Sequence, residues 1–462
     1  MSYADFIATK LVRLPPAGID ADVSSEHLFP FQRDLVRWAL RRGRAAIFAS
    51  TGLGKSRMQL TWARHVSEHA GRPVLILAPL AVAKQTAAEG ASIGVSVTVC
   101  REQSDVRPGV NITNYDRLHL FDASVFGGVA LDESSIIKHH HAKTLATLIA
   151  AFGDTPFKLC CTATPSPNDY VELGTHAEFL GVCTRTEMLS EFFVHDGGST
   201  QDWRLKGHAR SVFWRFVSSW GALVRSPEDL GYDGSSYVLP PLTVRHHTIE
   251  PSDEAIAASG QLFAMPASSL MERRAARKGS IVDRVRACAD LVNGTDESFV
   301  VWCDLNDEST ALTKLINGAV EVTGSMTTEQ KESALEKFRT GESRVLVSKP
   351  SICGFGMNWQ HCHRMAFVGV TDSWEAFFQA TKRIHRFGQS RECFVDIFAS
   401  ALEGAVVANL ARKQRDADAM AEELSREAAQ SVRDAVLGQR RVTNSYDAHV
   451  RMIVPNWLKE AA

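Results

Sequence analysis

Apolar residues fall in short, unbroken runs along most of the chain. In the first half they occupy 45–49, 74–78, 95–100, 110–113, 129–131 and 157–161. In the second half they occupy 299–303, 320–323, 345–348, 365–370 and 394–398. A strand with one wet face alternates apolar and polar positions, whereas an unbroken run suits a strand buried on both faces of a parallel sheet. Between the runs, apolar residues return at helical spacing, as over 56–69. Strand and helix in alternation predict an α/β fold built of mostly parallel sheets flanked by helices.

The rhythm breaks between about 180 and 245. That stretch holds Trp203, Trp214 and Trp220 among Arg204, Lys206, Arg210, Arg215 and Arg225. Its middle predicts an amphipathic helix with Trp214 and Trp220 turned to the core, and the mixture also suits a basic-aromatic surface for nucleic acid. Pro240-Pro241 marks a crossing into a second βα series. From 401 to about 440 the chain is rich in Ala, Glu, Arg and Leu, which predicts a helical tail. The expected division is a first lobe over 1–243 with a helical extension from about 180, a second lobe over 244–400, and a tail over 401–462. A length of 462 residues accommodates such a plan.

Composition adds limits. With 45% hydrophobic and 23% charged residues the chain is globular in type. A net charge of −2 gives no overall attraction to a polyanion, so any nucleic-acid contact needs a local patch. Arg273, Arg274, Arg277 and Lys278 form the densest basic cluster, suited equally to phosphate contact and to a solvated helix face. Nine cysteines without a CxxC pair read as reduced core residues. His361-Cys362-His363 and His139-His140-His141 read as loops, not as ligand sets. No leader pattern and no apolar stretch of about 18 residues is present, so a cytoplasmic protein without a membrane span is expected.

Ala49-Ser50-Thr51-Gly52-Leu53-Gly54-Lys55-Ser56 lies between a buried strand and a helix. That is the setting of a phosphate loop. Thr51, Gly52 and Gly54 let backbone N–H groups turn inward around phosphates at a helix N-terminus. Lys55 would reach the β- and γ-phosphates of ATP, and the Ser56 hydroxyl would ligate Mg²⁺. Val129-Ala130-Leu131-Asp132-Glu133 is an apolar strand ending in two acids. Asp132 would hold Mg²⁺ and Glu133 would deprotonate the attacking water.

These motifs resemble those of superfamily 2 helicases of the DEAD/DEAH-box kind, and within them the Swi/Snf-like ATPases, over roughly residues 28–400. Phe29-Pro30-Phe31-Gln32 is similar to the adenine-reading element, which implies that Gln32 reads the base edge. Asn111-Ile112-Thr113-Asn114-Tyr115 and Thr162-Ala163-Thr164-Pro165 resemble the segment before the acidic strand and the third motif. Thr323-Gly324-Ser325 is similar to a turn that approaches nucleic-acid phosphate. Gly354-Phe355-Gly356-Met357-Asn358 resembles the fifth motif, where Gly356 permits close backbone approach. Gln379-Ala380-Thr381-Lys382-Arg383-Ile384-His385-Arg386-Phe387-Gly388-Gln389 resembles the Swi/Snf form of the sixth motif, with Asp372 and Trp374 ahead of it. The resemblance implies two RecA-like lobes. It also implies that Gln379 and Gly356 join the nucleotide site and that Arg383 and Arg386 act as arginine fingers.

Asp132-Glu133-Ser134-Ser135 departs from the family's Asp-Glu-Ala-His, so the histidine that links to the third motif is missing from its place. The short form, together with Asp132-Glu133-Ser134-Ser135, Ala163-Thr164-Pro165-Ser166-Pro167-Asn168-Asp169-Tyr170 and Trp203-Arg204-Leu205-Lys206-Gly207-His208, is similar to helicases of bacteriophages and prophages, which would act in the cytoplasm of a bacterial host. The resemblance implies an ATP hydrolase moving on double-stranded DNA, with single-stranded DNA as the other track. The alternatives are a helicase that separates DNA or RNA strands, and an ATP-dependent DNA-binding subunit that recruits replication or repair partners.

Overall fold

The computed structural model describes residues 18–23, 26–79, 82–138, 143–165, 170–195, 203–250, 279–353, 358–369, 374–401, 412, 415, 429–430 and 432–437. The basic cluster at 273–278, the His139–His141 run, Gly356 and Asp372 lie outside the described residues.

The apolar runs of the first half become strands β1 (Arg44–Ala49), β2 (Val74–Ala78), β3 (Val97–Val99), β4 (Val110–Asn114), β5 (Gly128–Asp132) and β6 (Phe157–Thr162). Beyond them lie a hairpin, β7 (Phe193–His195) with β8 (Trp203–Leu205), and a short strand β9 (Gly221–Val224). Seven strands form one sheet in the order β3-β4-β2-β5-β6-β1-β9, every neighbour parallel. Parallel neighbours require crossovers, and helices Lys55–Ala70, Ala83–Ser92 and Lys143–Phe152 lie on them, while helix Pro30–Arg42 leads into β1. Burial on both faces explains the unbroken apolar runs: all five residues of β2 and all six of β6 are buried.

The second sheet comprises β10 (Leu242–Ile249), β11 (Phe299–Cys303), β12 (Ala319–Val322), β13 (Val345–Ser348), β14 (Arg364–Val368) and β15 (Cys393–Ser400). Its order is β10-β15-β14-β11-β13-β12, again wholly parallel. Separate apolar clusters fill its two faces, one around Trp302, Trp359 and Phe338 and the other around Val285, Phe299 and Phe398. The architecture is two RecA-like lobes, each a parallel sheet between helices.

Two elements depart from the sequence reading, and the place of a third is set by packing. The stretch expected as a helical extension carries helix Arg210–Ser218 but also the β7–β8 hairpin and β9, which extends the first sheet beside β1. Trp214 and Trp220 are buried, as the pattern indicated. Strand β10 was not foreseen, because Leu-Thr-Val-Arg-His-His-Thr-Ile is half polar, as befits an edge. Lastly, the described tail residues are helical, and Val432 and Val436 lie inside the first lobe's core. Arg433 secures that helix by donating to the carbonyls of Glu228 and Asp229.

The lobes meet along a seam. The Tyr237 and Phe387 rings stack at 4.6 Å, and Lys84 Nζ lies 2.6 Å from Glu332 Oε2.

Candidate nucleotide cleft

Parallel strands bring their carboxyl ends to one edge of a sheet, where α/β proteins bind ligands. At that edge of the first lobe, β1 runs into residues 50–54 and then into helix Lys55–Ala70. Gly52 (φ 91°) and Gly54 (φ 79°) take left-handed backbone that other residues adopt only at a cost. Gly54 also has to be small, since a Cβ there would lie 2.3 Å from Gln32 Nε2. Lys55 folds over the loop and donates to the Ala49 carbonyl (2.8 Å) and the Ser50 carbonyl (3.3 Å).

Strand β5 ends two places away, across β6, and delivers Asp132 and Glu133 to the same edge. Burial, then the neighbouring Glu133 carboxylate, push Asp132 up to about 7, with Lys55 opposing. Burial lowers Lys55, while Glu133 and Asp132 hold its proton on. Glu133 Oε2 is buried without a hydrogen-bond partner. Its φ of 49° makes it the one non-glycine with positive φ among the described residues.

The second lobe faces this edge with the turn after helix Trp374–Thr381. Arg383 Nε donates to the Gln379 carbonyl (2.9 Å), and Arg383 Nη2 donates to the Gln379 side-chain oxygen (3.1 Å). Burial lowers Arg383 to about 10, and Glu133 acts against that shift. The Arg386 guanidinium bonds to Asn358 Oδ1. Burial lowers its pKa too, while Glu89 and Glu133 raise it.

Both lobes line one cleft of about 350 Å³. The expected residues Gln32, Thr51, Gly52, Gly54, Lys55, Ser56, Asp132, Glu133, Arg383 and Arg386 all reach it. Five cations (Lys55, Arg57, Lys382, Arg383, Arg386) stand against three carboxylates (Glu89, Asp132, Glu133), a balance that suits a polyanion. Ser56 and Asp132 offer two hard oxygen ligands. Among the described residues no group of three or more His, Cys, Asp or Glu could hold a metal alone. Two protein oxygens are what a magnesium ion uses when phosphates and water complete its shell.

Two placements differ from the sequence reading. Gln379 does not line the cleft; it is buried and orients Arg383. Gln32 lines it, yet both ends of its amide are used within the chain. Its oxygen accepts from Phe29 N (3.0 Å), and its nitrogen donates to the Leu53 carbonyl (2.8 Å), tying a helix start to the phosphate loop. Glu89 and Arg57, paired at 3.4 Å on the cleft wall, were not singled out, because neither belongs to a motif.

Fold and cleft together define a two-lobed α/β protein with a charged cleft lined by both lobes. Residues 283–388, within the second lobe, match the model of the helicase conserved C-terminal domain. Among solved structures, the chain is similar to the Sulfolobus solfataricus SWI2/SNF2 ATPase core in complex with dsDNA. Identity is 17% and the TM-score 0.41, over 92% of this chain and 98% of that one. No curated protein matches the chain significantly. No described helix is long and apolar enough to cross a membrane.

Proposed function

We propose that the protein is an ATP-hydrolysing nucleic-acid motor whose track is double-stranded DNA. The observation that carries the ATPase reading is the split cleft: Lys55, Asp132 and Glu133 from one lobe face Arg383 and Arg386 from the other. Lys55 would leave the Ala49 and Ser50 carbonyls for the β- and γ-phosphates. Ser56 and Asp132 would hold Mg²⁺, which supplies charge neutralisation between the phosphates. The Glu133 carboxylate would take a proton from water as its oxygen bonds to the γ-phosphorus and the bond to the β–γ bridging oxygen breaks. Arg383 and Arg386 would stabilise the charge on the moving phosphoryl group and the leaving diphosphate. Because the arginines ride on the second lobe, ATP favours the closed cleft and hydrolysis releases it.

The choice of duplex DNA rests on the Swi/Snf form of residues 379–389. ATP turnover with duplex DNA, single-stranded DNA and RNA, compared at fixed salt, tests it, because phosphate-driven affinity falls steeply with salt. Duplex DNA should stimulate most, and a triplex-displacement assay should report movement without strand separation. Unwinding of a forked duplex without triplex displacement would favour a strand-separating helicase. Lys55→Ala should lose ATP binding and turnover, whereas Glu133→Gln should bind ATP and hydrolyse it slowly.

A further inference from the structure

One residue beyond Glu133, the Ser134 hydroxyl lies 3.1 Å from His176 Nε2, with both side chains fully buried. His176 belongs to helix Leu173–Leu180, which follows the 162–165 segment at the end of β6. Its ring meets Phe48 of β1 edge-on at 5.1 Å, on the strand that feeds the phosphate loop. One imidazole therefore touches the exit of β5 and the carboxyl end of β1 while riding on the helix after β6. Burial holds His176 down to about 4, so the ring is neutral near pH 7. A neutral imidazole can exchange a hydrogen bond with a hydroxyl without bringing a charge into the core.

The bond sits next to the backbone strain. A left-handed conformation costs a non-glycine residue about 1–2 kcal/mol, so something must hold Glu133 there. The buried Glu133 Oε2 has no hydrogen-bond partner to do so. On the backbone, the Tyr115 hydroxyl donates to the Asp132 carbonyl (2.7 Å) and the Ile136 N–H donates to the Glu133 carbonyl (3.2 Å). The side-chain anchor on the far side of Glu133 is Ser134, bonded to His176. We propose that His176 is a positioning residue. Through Ser134 it holds the exit of β5 in the turn that aims the Glu133 carboxylate into the cleft. The proposal rests on the reading of Glu133 as the base. It also gives the helix after β6 a route to the carboxylate: a shift of helix Leu173–Leu180 loosens the Ser134 bond and lets Glu133 relax.

The test uses the full chain with saturating ATP and duplex DNA, with nucleotide affinity measured separately. Ser134→Ala removes one oxygen, and His176→Phe keeps a ring against Phe48. Each should leave nucleotide affinity within about twofold and lower kcat about tenfold, the rate equivalent of one hydrogen bond of about 1.4 kcal/mol. The double variant should be no slower than either single one, because both break the same link. His176→Gln, whose amide can still meet the serine hydroxyl, should recover most of the rate. Should His176→Phe fail to fold, Ser134→Ala decides alone. Normal kcat in Ser134→Ala overturns the proposal, as do additive losses in the double variant. Glu133→Gln separates the two failures. If it is inactive while Ser134→Ala is normal, only the positioning role falls. If it turns over normally, the base assignment falls first.

Discussion

Gly52 sits where the phosphate loop touches the second lobe, and replacing it with alanine tests whether that closed seam is the one that turns over ATP. A Cβ on Gly52 would lie 2.9 Å from Phe387 N and 3.0 Å from Phe387 Cβ. Heavy atoms settle near 3.5 Å or beyond, so the seam must open by about 0.6 Å at this point. Reacting groups displaced by 1 Å lose about 100-fold, so an opening of this size predicts a loss on the order of tenfold in DNA-stimulated turnover. Backbone strain is a separate cost, because φ of 91° suits glycine. Gly71→Ala isolates it: φ there is 61° and nothing lies within 4 Å of the added carbon. Both variants should melt earlier, by about 1–2 kcal/mol of stability. Only Gly52→Ala should lose stimulated turnover, with ATP affinity retained in a fluorescent-nucleotide titration. Stimulated turnover within about twofold of the parent in a folded Gly52→Ala protein would refute the closed seam as the working state. A collapse of ATP affinity would instead locate the damage in the loop itself.

Arg386→Ala should keep measurable ATP and DNA binding and lose on the order of 10³-fold or more in single-turnover hydrolysis. Arg386→Lys should rescue it poorly, since an ammonium lacks the planar fork; unchanged turnover in the alanine variant would leave the second lobe a binding platform. Stability should fall as pH drops from 6.5 toward 4, because the unfolded chain protonates His176 before the native state does. The loss attributable to this residue approaches about 3 kcal/mol. It is read as the difference between the parent and His176→Gln in denaturant titrations, and parallel curves for the two would disprove it. Gln32→Ala should loosen the phosphate loop and weaken ATP binding several-fold, by losing the tie to Leu53. If Gln32 instead read the base, the same change would narrow the gap between ATP and GTP, which a competition titration distinguishes.

Much of this fold was legible because burial on both faces leaves an unmistakable trace. Strands at 74–78, 299–303 and 345–348 coincide with their apolar runs residue for residue. Edge and outlying strands leave none. Strand β10 is half exposed, and β9 has only four residues, all buried beside helix Arg210–Ser218. At the cleft, residues of the phosphate loop and the acidic strand could be named from their local setting, and Arg383 and Arg386 from the resemblance of their motif. Gln32 and Gln379 were also placed by resemblance, and their partners, the Leu53 carbonyl and Arg383, turn both amides to internal use. Glu89, Arg57 and His176 carry no local signature. Their places depend on helices packing across the sheet, which only the folded chain determines.

The docking of Val432 and Val436 in the first lobe has a consequence for how the protein is made. The chain enters the second sheet at Leu242, leaves it at Ser400 and returns to the first core at Val432. A ribosome adding about 5–20 residues each second needs about 10–40 s to travel from Leu242 to Val432. For that interval the nascent first lobe has its sheet but lacks the two valines that fill its core, and the Glu228 and Asp229 carbonyls wait for Arg433. The first lobe begins folding first and finishes last, so a premature stop anywhere in the second lobe leaves the first one incomplete as well.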